Sequence, residues 1–255
     1  MMRRVSLLLV LALSCAGLTA CSDDTPTSPT NPGNNALTIV GQTDFLLIGA
    51  VVTLQATRTT TTSAVVAADW SSDDGRVAAI NRQGQLTALA SGTTTVRATF
   101  EQQTASFVVR VAPNFAGTWE GRARVTACTA PTTTICQPTY AVGTQFVTRV
   151  TLVQNRDQVV GTLYTPYPAS LPTIPPLVVD GTLSGRIEIG GRLPMTGTLN
   201  GPTPTSPSAG TIDGWRTEID PTQPILRGSY TEVNTATAGN TTISWEFIGL
   251  TRLPS

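Results

Sequence analysis

The sequence predicts an all-β protein of two units, a β-sandwich followed by an eight-stranded up-and-down β-barrel. Three observations predict it. Charged residues make up only 13% of the chain against 40% hydrophobic, so Thr, Ser, Gly and Pro carry the polarity. Thr and Val suit pleated, half-buried surfaces, whereas Gly and Pro interrupt helices. Beyond the first twenty residues no long segment shows a 3.6-residue apolar period, and apolar side chains recur at every second position between turn signals. At 255 residues the chain can hold two ordinary domains, and Pro113-Asn114 marks the joint between them.

The first element is an address. Arg3 and Arg4 form a positive start and Val5 to Leu13 a short apolar core, too short for a spanning helix of about 20 residues. Leu18-Thr19-Ala20-Cys21 follows and resembles the lipobox of bacterial lipoprotein signal peptides. The resemblance implies that residues 1–20 are removed and that Cys21 becomes a lipidated first residue. It further implies an extracytoplasmic protein, and Ser22 after the Cys fits the outer membrane or cell surface. A plain secretory signal cleaved near Ala20, an uncleaved anchor and modification at Cys15 are the alternatives; Leu13 stands where the last of these needs a small residue. Several acyl chains, at about 0.8 kcal/mol per buried methylene, would make attachment effectively permanent. Residues 21–36 then form a tether. Ser22 to Ala36 holds Pro, Thr, Asn and Asp but no large apolar residue, so it cannot bury enough surface to fold. Asp23-Asp24 within it is a solvated acidic pair.

Charge and composition remove several function classes. Sixteen arginines balance sixteen acids, with no Lys; without Arg3 and Arg4 the mature chain carries a net charge of −2. Nucleic acid is therefore not an expected partner, because phosphate-backbone binding needs a clustered basic face. The absence of His removes Ser-His and Cys-His nucleophiles and His metal sites.

Residues 37–112 are the first folded unit. Predicted strands are Leu37–Val40, Ala50–Thr57, Ala67–Ser71, Val77–Asn81, Leu86–Ala90, Thr94–Phe100 and Ser106–Val111, a count that suits an immunoglobulin-like sandwich. Val96, Ala98 and Phe100 alternate with Thr95, Arg97 and Thr99, and Gly84 supplies a turn with positive φ. The run from Asp69-Trp70-Ser71-Ser72 through Val77-Ala78-Ala79-Ile80 and Gly84-Gln85-Leu86-Thr87-Ala88-Leu89 to Gly92-Thr93-Thr94-Thr95-Val96-Arg97-Ala98 resembles the bacterial Ig-like domain of group 2. That implies a structural or binding module outside the cytoplasm. With no Cys here, packing must hold the sandwich, and Trp70 is the expected core centre. Asp73-Asp74 reads as a solvated turn rather than a calcium site, which needs six or more oxygens.

Residues 113–255 are the second unit. Predicted strands are Gly117–Thr126, Thr144–Gln154, Gln158–Thr165, Leu177–Ile189, Arg192–Asn200, Thr211–Ile219, Ile225–Val233 and Thr241–Leu250. Trp119, Gly121, Ala123 and Val125 share one face, as do Ile243, Trp245, Phe247 and Gly249. Eight sequential strands without helices suit a barrel, with a β-sandwich as the alternative. Gly117-Thr118-Trp119 and Arg252 resemble the Gly-x-Trp start and closing Arg of the lipocalin–avidin group, which implies a Trp plugging one barrel end under a packed cation. Gly-Thr-Leu steps at Gly161, Gly181 and Gly197 fit a meander.

Cys128 and Cys136 are expected to pair in an oxidising compartment, since metal or redox use lacks His partners and a Cys-x-x-Cys spacing. Glu120, Asp180, Glu188, Asp213, Glu218, Glu232 and Glu246 are the carboxylates available to an acid–base mechanism, but no motif groups them and alternation places most on solvated faces. Trp215, Tyr230, Trp245, Tyr164 and Tyr167 could line a sugar or lipid site, yet aromatics on strands more often form core. No catalytic residue, metal ligand or cofactor is expected, and no ligand-binding residue is assigned. The function expected is that of a membrane-anchored envelope lipoprotein with a structural, adhesive or binding role, its partners the membrane and an envelope glycan or surface protein. The alternative is a carrier or sensor of a small apolar ligand in the barrel.

Overall fold

The computed structural model describes residues 36–59, 63–131, 136–138, 140–166, 178–200, 210–220, 223–235 and 239–254. The expected signal peptide, Cys21, the expected tether up to residue 35 and Tyr167 lie outside the described residues.

The first unit holds ten short strands: β1 (Leu37–Val40), β2 (Phe45–Leu47), β3 (Val51–Thr53), β4 (Gln55–Thr59), β5 (Ser63–Val66), β6 (Asp69–Ser72), β7 (Ala78–Ile80), β8 (Gln85–Ala88), β9 (Gly92–Phe100) and β10 (Gln103–Ala112). They form sheets ordered β2-β10-β9-β6, β1-β4-β5 and β3-β8-β7. Each predicted strand is present, but the run from Ala50 to Thr57 divides at Leu54. There the backbone leaves the ladder so that its amide donates to the Gly84 carbonyl at 2.8 Å, and the Leu54 side chain enters the core. Gly84 has the expected positive φ, +77°. The short β2 and β5 escaped the pattern; β2 pairs parallel to β10, with Phe45 opposite Arg110.

Trp70 is not the core centre. It sits on β6, the edge of the four-stranded sheet, and is only half-buried. Leu54, Leu86, Val96, Ala98 and Val109 fill the middle instead. Small and aliphatic residues suffice because the layers are short.

The second unit is a closed antiparallel barrel of β11 (Gly117–Thr129), β12 (Gln145–Asn155), β13 (Gln158–Pro166), β14 (Val178–Arg186), β15 (Leu193–Asn200), β16 (Gly210–Ile219), β17 (Ile225–Asn234) and β18 (Thr241–Arg252). Strands pair in sequence order and β18 returns to β11, so no edge remains. Alternation holds along β12, where Phe146, Thr148, Val150 and Leu152 point inward and Val147, Arg149 and Val153 outward. The expectation for Gly249 fails. A register slip between β17 and β18, Leu226 to Leu250 but Gly228 to Phe247, adds a residue to β18 and turns Leu250 inward in its place.

The Gly-Thr-Leu steps are in register with one another. Thr162 lies opposite Thr182 and Thr182 opposite Thr198, and the row continues to Thr151 and Thr118 on one side and Thr211 on the other. One threonine from each of six consecutive strands therefore lines the outer wall, while Leu163, Leu183 and Leu199 are buried inside.

The barrel has a short-looped and a long-looped end. The connections from β12 to β13, β14 to β15 and β16 to β17 leave the strands at the end facing the first unit. Those from β11 to β12, β13 to β14, β15 to β16 and β17 to β18 leave at the opposite rim, and the first three of them are longer.

Candidate functional site

At the end facing the first unit, Trp119 is fully buried and its indole N–H donates to the Phe115 carbonyl at 2.8 Å. The Arg252 guanidinium carbon stands 4.6 Å from the Trp119 ring centroid, and Nη2 donates to the Asn114 carbonyl. Burial lowers the Arg252 pKa from its ordinary value. Trp119 and Arg252 thus plug this end, as the Gly-x-Trp resemblance implied.

Arginines join the two units across this end. Arg110 on β10 reaches Asp157 in the β12–β13 turn at 2.8 Å and also donates to the Ile187 carbonyl. Asp157 is mostly buried, and Arg186 stands 3.5 Å from the same carboxylate. Arg156 from that turn forks onto Asp44 at 2.9 and 2.6 Å and lies 5.4 Å from the Phe45 ring centroid. The hydrogen bonds from Arg156 hold the Asp44 carboxyl below its ordinary pKa. Gly191 packs so closely on Ser91 and Pro113 that a Cβ there would strike the Ser91 side chain.

Beside this joint the units leave a cleft of about 680 Å³. Ile48 and Leu89, 42% and 49% exposed, form one wall, and Ile219, Asp220 and Pro224 the other. Its size falls within the range of small-molecule sites.

Among the described residues the barrel interior is packed with aromatic side chains. Tyr140, Phe146, Trp245, Tyr230, Trp215 and Phe247 stack through it with ring centroids 5.1 to 6.1 Å apart. The inward side chains of Trp119, Val150, Leu163, Met195, Ile212, Trp215, Tyr230 and Trp245 are 0–3% exposed. Among the described residues the barrel's inward side chains fill the lumen. Trp215, Tyr230 and Trp245 are core, and Tyr164 lies on the outer wall.

The carboxylates are not brought together. Glu120 is paired with Arg149 and Glu246 with Arg124 on the outer face. Asp213 accepts from Thr211, Glu218 stands near Arg192, and Glu188 is exposed. Asp180 lies between Tyr164 and Asn200 in the ladder. Glu232 is the exception, pointing into the barrel at 3% exposure, where it accepts from the Trp245 indole at 2.8 Å. Desolvation raises its pKa to about 7, against which the indole hydrogen bond acts. Strand alternation with Tyr230 was the signal that could have placed it inside. In the first unit Arg97 forks onto Asp73 and Arg76 onto Asp74, lowering both carboxyl pKa values and occupying the oxygens a cation would use. Cys128 and Cys136 form a disulfide with Cα atoms 5.7 Å apart at the rim away from the first unit.

Residues 36–111 match the profile of the family described as bacterial Ig-like domain (group 2). No curated protein matches the chain. Among solved structures, a crystal structure of an intimin mutant from EHEC O157:H7 is similar, at 19% identity and a TM-score of 0.23. That similarity covers 41% of this chain and spans 55% of the other chain's length. Residues 36–111 are thus a bacterial Ig-like domain of group 2, carried on one chain with a closed eight-stranded barrel.

Proposed function

We propose that the chain is an exported lipoprotein, held to a membrane through Cys21, whose Ig-like domain presents the barrel outward in a structural or adhesive role at the cell envelope. The polarity of the Ig-like domain carries this. The chain enters at the pole where the Thr59 amide donates to Ala36, and where Arg58, opposite Leu37, pairs with Glu101 at the β9–β10 turn. It leaves at the other end of β10, where Ala112 leads through Pro113 into the barrel. The described residues thus begin at the pole away from the barrel, which supports an anchor on that side. A tether of fifteen residues, at about 3.1 Å per extended residue, adds roughly 45 Å of reach. The longer barrel connections then face outward, where binding residues tend to sit. Dispersed carboxylates and a filled lumen favour this over catalysis or carriage, with an envelope glycan or a surface protein as partner.

The test is an epitope inserted in the β17–β18 connection, at residues 235–240, and read on whole cells with and without outer-membrane permeabilisation. Staining of cells expressing the parent, with release into the medium for Cys21→Ser, is expected. An epitope that stays in the cytoplasm would refute the proposal.

A further inference from the structure

Seven of the fourteen described arginines hydrogen-bond an acid. Arg97 forks onto Asp73 at 3.2 and 3.0 Å, Arg156 onto Asp44 at 2.9 and 2.6 Å, and Arg149 meets Glu120 at 2.8 Å. Three arginines on the outer wall of β15 to β17 are arranged differently. Arg192, Arg216 and Arg227 surround a depression of about 190 Å³ together with Thr217, Glu218 and Gly228.

The ladder explains why they meet. Thr217 points inward, so Arg216 and Glu218 share the outer face of β16. Arg227 lies directly opposite Glu218, and Arg192 precedes Leu193, the partner of Thr217 on the other side. Glu218 is thus flanked by two arginines with a third along its own strand.

Their pairing is loose. Arg192 Nε stands 3.9 Å from Glu218 and Arg227 Nε 3.7 Å from Asp220 on the rim, both beyond hydrogen-bond distance. Arg216 has no acidic partner among the described residues, and none of the three guanidinium groups makes a hydrogen bond there. Each guanidinium carries five donors in a planar fork, far more than one carboxylate can accept. A phosphate offers two negative charges and three or more acceptor oxygens, which suits three converging forks better than a second carboxylate would.

We infer that the Arg192–Arg216–Arg227 depression binds the phosphate group of an envelope ligand. Glu218 lines both this depression and the interdomain cleft, so the remainder of the ligand lies against Ile219, Pro224 and Leu89. Phosphate chemistry of this kind is supplied by a lipid headgroup or by a phosphorylated glycan.

The experiment is calorimetric titration of the full mature chain with inorganic pyrophosphate at low ionic strength. Arg216→Gln, which breaks no ion pair among the described residues, should weaken binding several-fold. The triple change Arg192→Gln, Arg216→Gln, Arg227→Gln should weaken it more than tenfold. Arg82→Gln, at an exposed arginine on the Ig-like domain, should leave it unchanged. Co-sedimentation of the non-acylated chain with vesicles containing phosphatidic acid, whose headgroup is a phosphomonoester, separates the sources: pelleting lost in the triple variant assigns the headgroup, and no pelleting assigns a soluble phosphate. Failure of the parent to bind pyrophosphate, or equal binding by parent and triple variant, overturns the inference.

Discussion

Arg252, the last residue of β18, holds its guanidinium carbon 4.6 Å from the ring centroid of Trp119 near the start of β11. The contact spans the seam where the barrel closes, and the same guanidinium donates to Asn114 ahead of β11. First and last strands are thereby joined by more than their ladder. Arg252→Ala should destabilise the barrel by about 2 kcal/mol, combining a partly desolvated cation–π contact with one charge-assisted hydrogen bond. Arg252→Lys should restore part of that loss, because an ammonium keeps the charge but not the planar stack. Chemical denaturation of the two variants checks both.

Glu232 gives the protein a pH-dependent stability of unusual sign for a carboxyl. Its pKa is 4.5 when unfolded and about 7 when buried. The folded state therefore binds the extra proton between those values. The contribution is fully present below pH 4.5 and is lost as pH rises through 7. The total is about 3 kcal/mol at 1.4 kcal/mol per unit. Glu232→Gln keeps an acceptor for the Trp245 indole without a charge. It should raise stability at pH 8 relative to the parent and flatten the pH 4.5–7 profile of the melting temperature. A parent profile that does not fall across that window would contradict the assignment.

Arg110 and Asp157 lock the Ig-like domain to the barrel at a mostly buried contact. Asp157→Asn should loosen the joint and let the domains tumble separately, seen as divergent NMR rotational correlation times. Asp44→Asn breaks a more exposed pair and should have a much smaller effect, since exposed ion pairs contribute about 0–1 kcal/mol.

Cys128 and Cys136 are eight residues apart in sequence. Closing so short a loop restricts the unfolded chain by roughly 2–3 kcal/mol. Reduction, or the double change Cys128→Ser and Cys136→Ser, should lower the barrel's denaturation midpoint accordingly while leaving the Ig-like domain's own transition in place.

How far the sequence carries is clear from particular residues. All eight barrel strands were legible because each runs eight residues or more with period-2 alternation. β2 and β5 were not, being three and four residues long, too short to show a period. Trp70 misled because size alone does not choose a core centre; its place on an edge strand does. Gly249 misled because a register slip depends on the partner strand. The arginine joint and the Arg192–Arg216–Arg227 depression were invisible because they arise from contacts across strands and between the units, among residues 9 to 112 positions apart. Glu232 could have been read from its spacing with Tyr230, had the inner face of β17 been identified.

The most direct measurement is metabolic labelling with a radioactive fatty acid, followed by membrane fractionation of the parent and of Cys21→Ser. The parent should carry label and sediment with the envelope. The variant should take up none and lose that partitioning. An unlabelled parent, or a variant with the same mature size and membrane association, would contradict the anchored presentation of the barrel.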